Sequence, residues 1–154
     1  MVLQQRHSKN EFSAGGIVYK IVNNVPVWLI VQHSKHKGWI FPKGLIGDRV
    51  EGEGKEETAL REVEEEGGIN AKIVLDKPFF TNYVYTFEGQ KIFKTVYFYL
   101  MEYVSGEIEN HDWEVVEAKW LGTDDTMEQL TYKADKEMFG MAVIAYEKVL
   151  SSKY

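Results

Sequence analysis

The sequence contains no cysteine. Disulfides and thiolate metal centres are therefore excluded. Proline is scarce as well, with three in 154 residues, and no linker-like or low-complexity stretch divides the chain. Basic residues are outnumbered: 18 Lys and Arg stand against 24 Asp and Glu, a net charge of −6. No basic stripe runs along the chain, which argues against nucleic acid or an anionic membrane as main partner. No apolar run approaches the roughly 20 residues of a membrane span. The opening stretch "MVLQQRHSKN" is polar and lacks the apolar core of a signal peptide. The expectation is a cytoplasmic protein, a single domain over 1–154 with a flexible end at 1–10, acting as a monomer or homodimer.

What is present is a core-forming chain, 44% hydrophobic. "AGGIVYKIVNNVPVWLIVQH" predicts two strands around a turn at Asn23-Asn24. "SKHKGWIFPKGLIGDRVEGEG" reads as a long loop in which Trp39–Phe41 pairs briefly. From Lys55 to Glu66 the pattern turns helical, with a narrow apolar stripe of Ala59, Leu60 and Val63, and Gly67-Gly68 stops it. "AKIVLDKPFFTNYVYTFEGQKIFKTVYFYLMEYV" predicts strands folding back at Glu88-Gly89-Gln90. "WEVVEAKWLG" is a further strand ending near Trp120. A second helix is expected over Ala134–Leu150, with Ala134, Met138, Ala142, Ala145 and Val149 on its apolar face. Strands, helix, strands, helix in that order predict an α+β fold, an α/β/α sandwich on a mixed sheet.

The stretch "REVEEEGG" crowds four glutamates into eight residues. Glu62, Glu65 and Glu66 share one helical face, while Glu64 lies elsewhere. Like charges at this spacing destabilise a helix by roughly 0.2–0.5 kcal/mol a pair. Near the helix C-terminus the dipole disfavours anions too. The arrangement is costly unless a cation arrives, and convergent carboxylates are hard oxygen ligands suited to Mg²⁺ or Mn²⁺. An acidic run alone is usually a solvated helix face. Here Arg61 stands beside the cluster, able to hold a carboxylate by a bidentate pair, and Glu53 opens the helix after a glycine-rich loop.

The segment "GDRVEGEGKEETALREVEEEGGI" resembles the signature box of the Nudix hydrolase family. The matching positions are Gly47, Glu53, Arg61-Glu62, Val63, Glu65-Glu66, Gly68 and Ile69. "FSAGGIVYK", "GWIFPKG" and "EVVEAKWL" resemble family landmarks around it. In one respect the chain departs from its close relatives, where the glycine of "FPKG" is itself the first glycine of the box. Here Gly44 is followed by eight residues before Glu53, and Gly47 supplies the five-residue spacing. The difference reads as a three-residue loop insertion.

The resemblance implies the Nudix sandwich with a catalytic loop-helix-loop, and metal-assisted hydrolysis of a nucleoside diphosphate linked to another group. Glu65 and Glu66 are implied as metal ligands, with Glu62 a ligand or the general base. Arg61 and Glu53 are implied as orienting residues, and the carbonyl of Lys43 as a further ligand. Glu114, six residues before Trp120, matches a carboxylate that joins this site from outside the box, as ligand or base; Glu117 is the alternative. "FPKG" resembles the branch that cleaves dinucleoside polyphosphates or diphosphoinositol phosphates, and "KTVYFYLM" and "LTYKADKEMF" resemble the diadenosine polyphosphate hydrolases of bacteria and archaea. The alternatives are another Nudix activity (ADP-ribose or nucleotide-sugar hydrolysis, removal of an RNA 5′-pyrophosphate, clearance of oxidised nucleotides) or a non-catalytic sensor of the same fold. Lys35, Lys37, Lys43 and Lys94 are candidates for neutralising a phosphate chain, with His33 and His36 as possible assistants. Tyr83 and Tyr85 alternate along a predicted strand and offer either a stacking surface for a base or plain sheet core.

Overall fold

Asn23 and Asn24 both take positive φ, 52° and 68°, the backbone of a tight hairpin turn that asparagine tolerates. They join β1, Lys9–Val22, to β2, Val25–His33, as the turn reading predicts. A computed structural model describes residues 8–47 and 51–152 of the chain. Of the expected flexible end, 1–7 lies outside the described residues, and Lys9 and Asn10 already belong to β1. Residues 48–50, within the loop that carries the expected insertion between Gly44 and Glu53, also lie outside them.

The remaining elements follow in order. They are β3 Trp39–Ile40, β4 Lys43–Leu45, α1 Lys55–Gly67, β5 Ile69–Ile73, β6 Phe79–Phe87, β7 Gln90–Gly106, β8 Val115–Gly122, α2 Thr123–Gln129 and α3 Lys133–Ser152. The strands form one mixed sheet, ordered β3-β2-β1-β7-β5, with β4 on β1, β6 on β7 and β8 on β2. β1 and β7 run parallel from Lys9↔Ile92 to Tyr19↔Glu102. The other pairings are antiparallel.

The central strands alternate between two cores. Ile17, Trp28, Ile30, Phe98 and Leu100 meet Phe139 and Ala142 of α3 on one face. Val18, Leu29, Val31, Tyr99 and Met101 meet Ala59 and Val63 of α1 on the other. Burial on both faces is why "VWLIV" is a continuous apolar run and not an alternating one. The result is the expected α/β/α sandwich. Trp28 is fully buried and satisfies its indole N–H by donating to Thr123 Oγ1 at 3.0 Å. Removing such a ring from a core costs about 3–5 kcal/mol.

Three local expectations change. Leu60 is 37% exposed, and the buried stripe of α1 continues instead through Glu62 and Glu66. The fully buried face of α3 is Asp135, Met138, Phe139, Ala142 and Tyr146, with Val149 partly buried against the same core, while Ala134 is exposed. The loop expected over 34–54 contains β4, whose three residues are too short for any periodicity to register.

Candidate active site

Helix α1 ends at Gly68, which takes φ 76° and returns its N–H to the Glu64 carbonyl at 2.9 Å. A left-handed cap of this kind favours glycine, so the Gly67-Gly68 stop acts as expected. At the other end, Glu53 folds back onto the helix and accepts from Thr58 Oγ1 at 2.6 Å. Arg61 then binds Glu53 with a two-pronged fork, Nε to Oε2 and Nη2 to Oε1, both 2.9 Å. Its remaining nitrogen, Nη1, reaches Glu62 Oε1 at 2.9 Å and Glu65 Oε2 at 3.1 Å. One guanidinium thus organises three carboxylates, a task its planar set of donors suits.

Electrostatics separates the members of this group. The Arg61 hydrogen bonds hold the Glu53 carboxyl below the usual range. Glu62 is only 5% exposed. Burial pushes its carboxyl up to about 7, against the pull of Arg61 and with the help of nearby Glu65. Glu66 is 3% exposed. Burial raises its carboxyl to about 8, opposed by the Lys43 backbone N–H that donates to Oε1 at 3.0 Å. Two buried carboxyls side by side oppose ionisation unless a cation joins them.

The first glycine of the box is decided by contact. A Cβ at Gly44 would lie 2.1 Å from the Glu62 carboxylate. Gly44 therefore lets the β4 backbone lie against that carboxylate. Among the described residues, a Cβ at Gly47 would meet nothing within 4 Å; Gly47 serves a turn, with φ 76°. The insertion displaces the literal spacing and leaves the structural role with the "FPKG" glycine.

Glu114 comes to this cluster from the start of β8. Its ligand atom, one of Glu66 and one of His33 lie within 4.8 Å of one another. This is a possible metal-binding group, rich in the oxygen donors that hard divalent cations take. His33 is the member without a family counterpart among the expected ligands. Its Nδ1 accepts the Lys35 N–H at 3.1 Å, which leaves the proton of the neutral ring on Nε2. Ligation through either nitrogen would disturb that bond, so His33 is better suited to donate to an anionic oxygen. The resemblance implies Glu114 at this site and offers His33 only as an assistant; that His33 comes beside the two carboxylates depends on its pairing with Val115 across β2 and β8.

Lys43 connects the carboxylates to a cavity of about 480 Å³ on the α3 side of the sheet. Its backbone holds Glu66, and its Nζ lies 3.5 Å from the Tyr83 hydroxyl and 5.9 Å from the Tyr83 ring centre. Tyr83 and Tyr85 line the cavity with ring centres 6.1 Å apart, and the Tyr85 hydroxyl donates to Glu11. His36, Tyr132 and Asp135 line it too. His36 stacks on His33 at 4.5 Å, and its Nδ1 accepts from the Tyr132 hydroxyl at 3.1 Å across 96 residues of chain. Lys94 pairs with Tyr83 in register. Burial and neighbouring Lys43 lower its ammonium to about 8, which weakens it as a phosphate cation above neutral pH. Lys35 and Lys37 are exposed and are not among the residues that line the cavity.

A mixed sheet between helical layers, with a buried acidic helix after a glycine-rich loop, defines a Nudix domain, and the Nudix domain family matches residues 2–140. The chain belongs to the Nudix family, whose hydrolases act on phosphoanhydride bonds. It is 32% identical to a putative mutator protein MutT4 of Mycobacterium tuberculosis, over 92% of this chain and 58% of that protein. It is 35% identical to Nudix hydrolase 6 of Arabidopsis thaliana, over 82% of this chain and 44% of that protein. The chain thus spans about half the length of these curated relatives. In structure it is similar to a C. elegans Ap4A hydrolase, with TM-score 0.69, 21% identity and coverage of 90% and 98% of the two chains. It is also similar to the Nudix domain of Shewanella oneidensis NrtR complexed with ADP ribose, with TM-score 0.67, 16% identity and coverage of 94% and 93%. Likeness at these structural identities speaks for the fold alone.

Proposed function

We propose that this chain is a Mg²⁺- or Mn²⁺-dependent hydrolase of dinucleoside polyphosphates, cleaving diadenosine tetraphosphate to ATP and AMP. The observation that carries this reading is Lys43, whose backbone holds the buried Glu66 while its ammonium enters a cavity walled by tyrosines. Phosphate-side chemistry and base-side recognition are thereby joined through one residue.

The metal ion, when bound, would offset phosphate charge and make water a stronger nucleophile. Glu65, Glu66 and Glu114 are the side chains that would hold it, with Glu62 on the same helix and the Lys43 carbonyl as a further donor. Glu62 is the favoured general base: Arg61 fixes its Oε1, and Gly44 backs its carboxylate. It takes a proton from water as the water oxygen bonds to phosphorus and the anhydride oxygen leaves. His33 donates to a phosphate oxygen, and Tyr83 or Tyr85 stacks on adenine. The likeness to a putative mutator protein favours a second reading, removal of oxidised nucleoside triphosphates.

The test is kcat/KM with Mg²⁺ for diadenosine tetraphosphate, ADP-ribose and a deoxynucleoside triphosphate, oxidised and normal. The first should lead. A clear preference for any other discards the dinucleotide substrate and leaves the metal chemistry standing. If Glu114→Gln lowers kcat far more than Glu62→Gln at saturating metal, Glu114 is the base.

A further inference from the structure

An indole is among the largest apolar surfaces a side chain can bury, so tryptophan is usually well covered. Trp28 is buried, and Trp39 and Trp120 pack against the two cores. Trp113 is 75% exposed, more than any other large hydrophobic side chain among the described residues. Its backbone is nonetheless held on both sides. Asp112 donates its N–H to the Glu65 carbonyl at 2.8 Å, and Glu114 donates its N–H to Asp112 Oδ1 at 3.1 Å. The Glu114 carbonyl accepts from Ser34 N–H at 2.9 Å. These bonds tie the turn to α1 and to the end of β2, so the indole is carried into solvent by an anchored segment.

The position of that turn matters. Glu114, the next residue, contributes to the carboxylate and histidine group. Contacts already described lead from Tyr83 to Lys43, from Lys43 to Glu66, and from Glu66 to Glu114. Trp113 adjoins Glu114 in the chain. The acidic cluster thus has the tyrosine cavity, reached through Lys43, and an exposed indole one residue from Glu114.

We infer that Trp113 is the stacking platform for the second nucleobase of a dinucleoside polyphosphate, the Tyr83 and Tyr85 cavity taking the first. This rests on the proposed substrate. A nucleotide with one base occupies the cavity and leaves Trp113 unused. Stacking accepts any base, because each presents a π-face. It acts far from the reacting phosphorus, so it contributes equally to ground and transition states.

The experiment compares the wild-type protein with Trp113→Ala and Trp113→Phe on two ligands, with Mg²⁺ present. Diadenosine tetraphosphate is followed as substrate. Adenosine 5′-tetraphosphate, with the same phosphate chain and one base, is followed as a competitor of that reaction. Trp113→Ala should raise KM for the dinucleotide about tenfold and leave kcat within about twofold. The inhibition constant of the one-base competitor should also stay within about twofold, and Trp113→Phe should restore most of the KM. Equal rises for both ligands, no change for either, or a fall in kcat alone would overturn the inference and leave the proposed substrate intact. A wild-type protein that does not cleave the dinucleotide overturns both.

Discussion

On the α1 side of the sheet, Arg61 holds Glu53, Glu62 and Glu65 at 2.9–3.1 Å, and Glu62 and Glu66 are buried. On the β6 side, Tyr83 is 40% exposed, and its link to Lys43 is a long hydrogen bond of 3.5 Å. One wall is a charged network with every orientation fixed. The other is an aromatic surface beside a cavity that Lys43 and Asp135 also line. Displacing phosphate charge requires positioned carboxylates in a site of low dielectric, where repulsion is strong and a cation is bound strongly in return. Holding a base requires only a flat ring, which tolerates displacement. The comparison predicts that changes to the first wall act on rate and changes to the second on affinity.

The largest effect is expected for Glu66→Gln, which keeps shape and Lys43 N–H bonding but removes the buried charge. Residues that merely orient metal ligands are worth about 10–100-fold, so kcat at fixed Mg²⁺ should fall at least about 100-fold. Near-normal turnover across a Mg²⁺ titration would break the assignment. Next comes Arg61→Lys. An ammonium cannot present the fork that Glu53 takes while also reaching Glu62 and Glu65. A fall in kcat of about 10–100-fold is expected with the fold retained, as read by circular dichroism and steady-state kinetics. Tyr83→Ala should raise KM by roughly tenfold and alter kcat little. If kcat falls instead, the two walls do not divide the work.

The smallest effect is on stability against pH. The Glu62 and Glu66 carboxyls are raised, to about 7 and about 8, from 4.5. Between these values the folded protein without metal holds protons that the unfolded chain has released, so its stability falls as pH rises from about 5 through 8. The melting temperature in EDTA should drop over that window, and saturating Mg²⁺ should flatten the slope. A metal-free melting temperature that rises from pH 5 to 8 would contradict the burial argument.

Local chemistry was legible wherever neighbours in sequence are neighbours in space. The Asn23-Asn24 turn, the Gly68 cap and the placing of Arg61 beside Glu62 and Glu65 all lie within one turn of backbone. Glu53 is the longest reach of that kind, eight residues from Arg61. The sequence offered both Gly44 and Gly47 for the box glycine, and only the contact of Gly44 with the Glu62 carboxylate separates their roles. The apolar face of α1 was misread at Leu60 because Glu62 and Glu66 are charged and yet buried.

By itself the sequence determined the α/β/α class, the acidic helix and its organising arginine, since a helix repeats every 3.6 residues and a strand every two. Only the tertiary structure decided that His33 lies with Glu66 and Glu114, that Gly44 and not Gly47 meets Glu62, and that His36, Tyr132 and Asp135 line the cavity. These depend on strand pairing and on the packing of α3 against the sheet. The physical reason is that such contacts are fixed by the burial of two separate cores, which brings together side chains as far apart as His36 and Tyr132, and no local period records that distance.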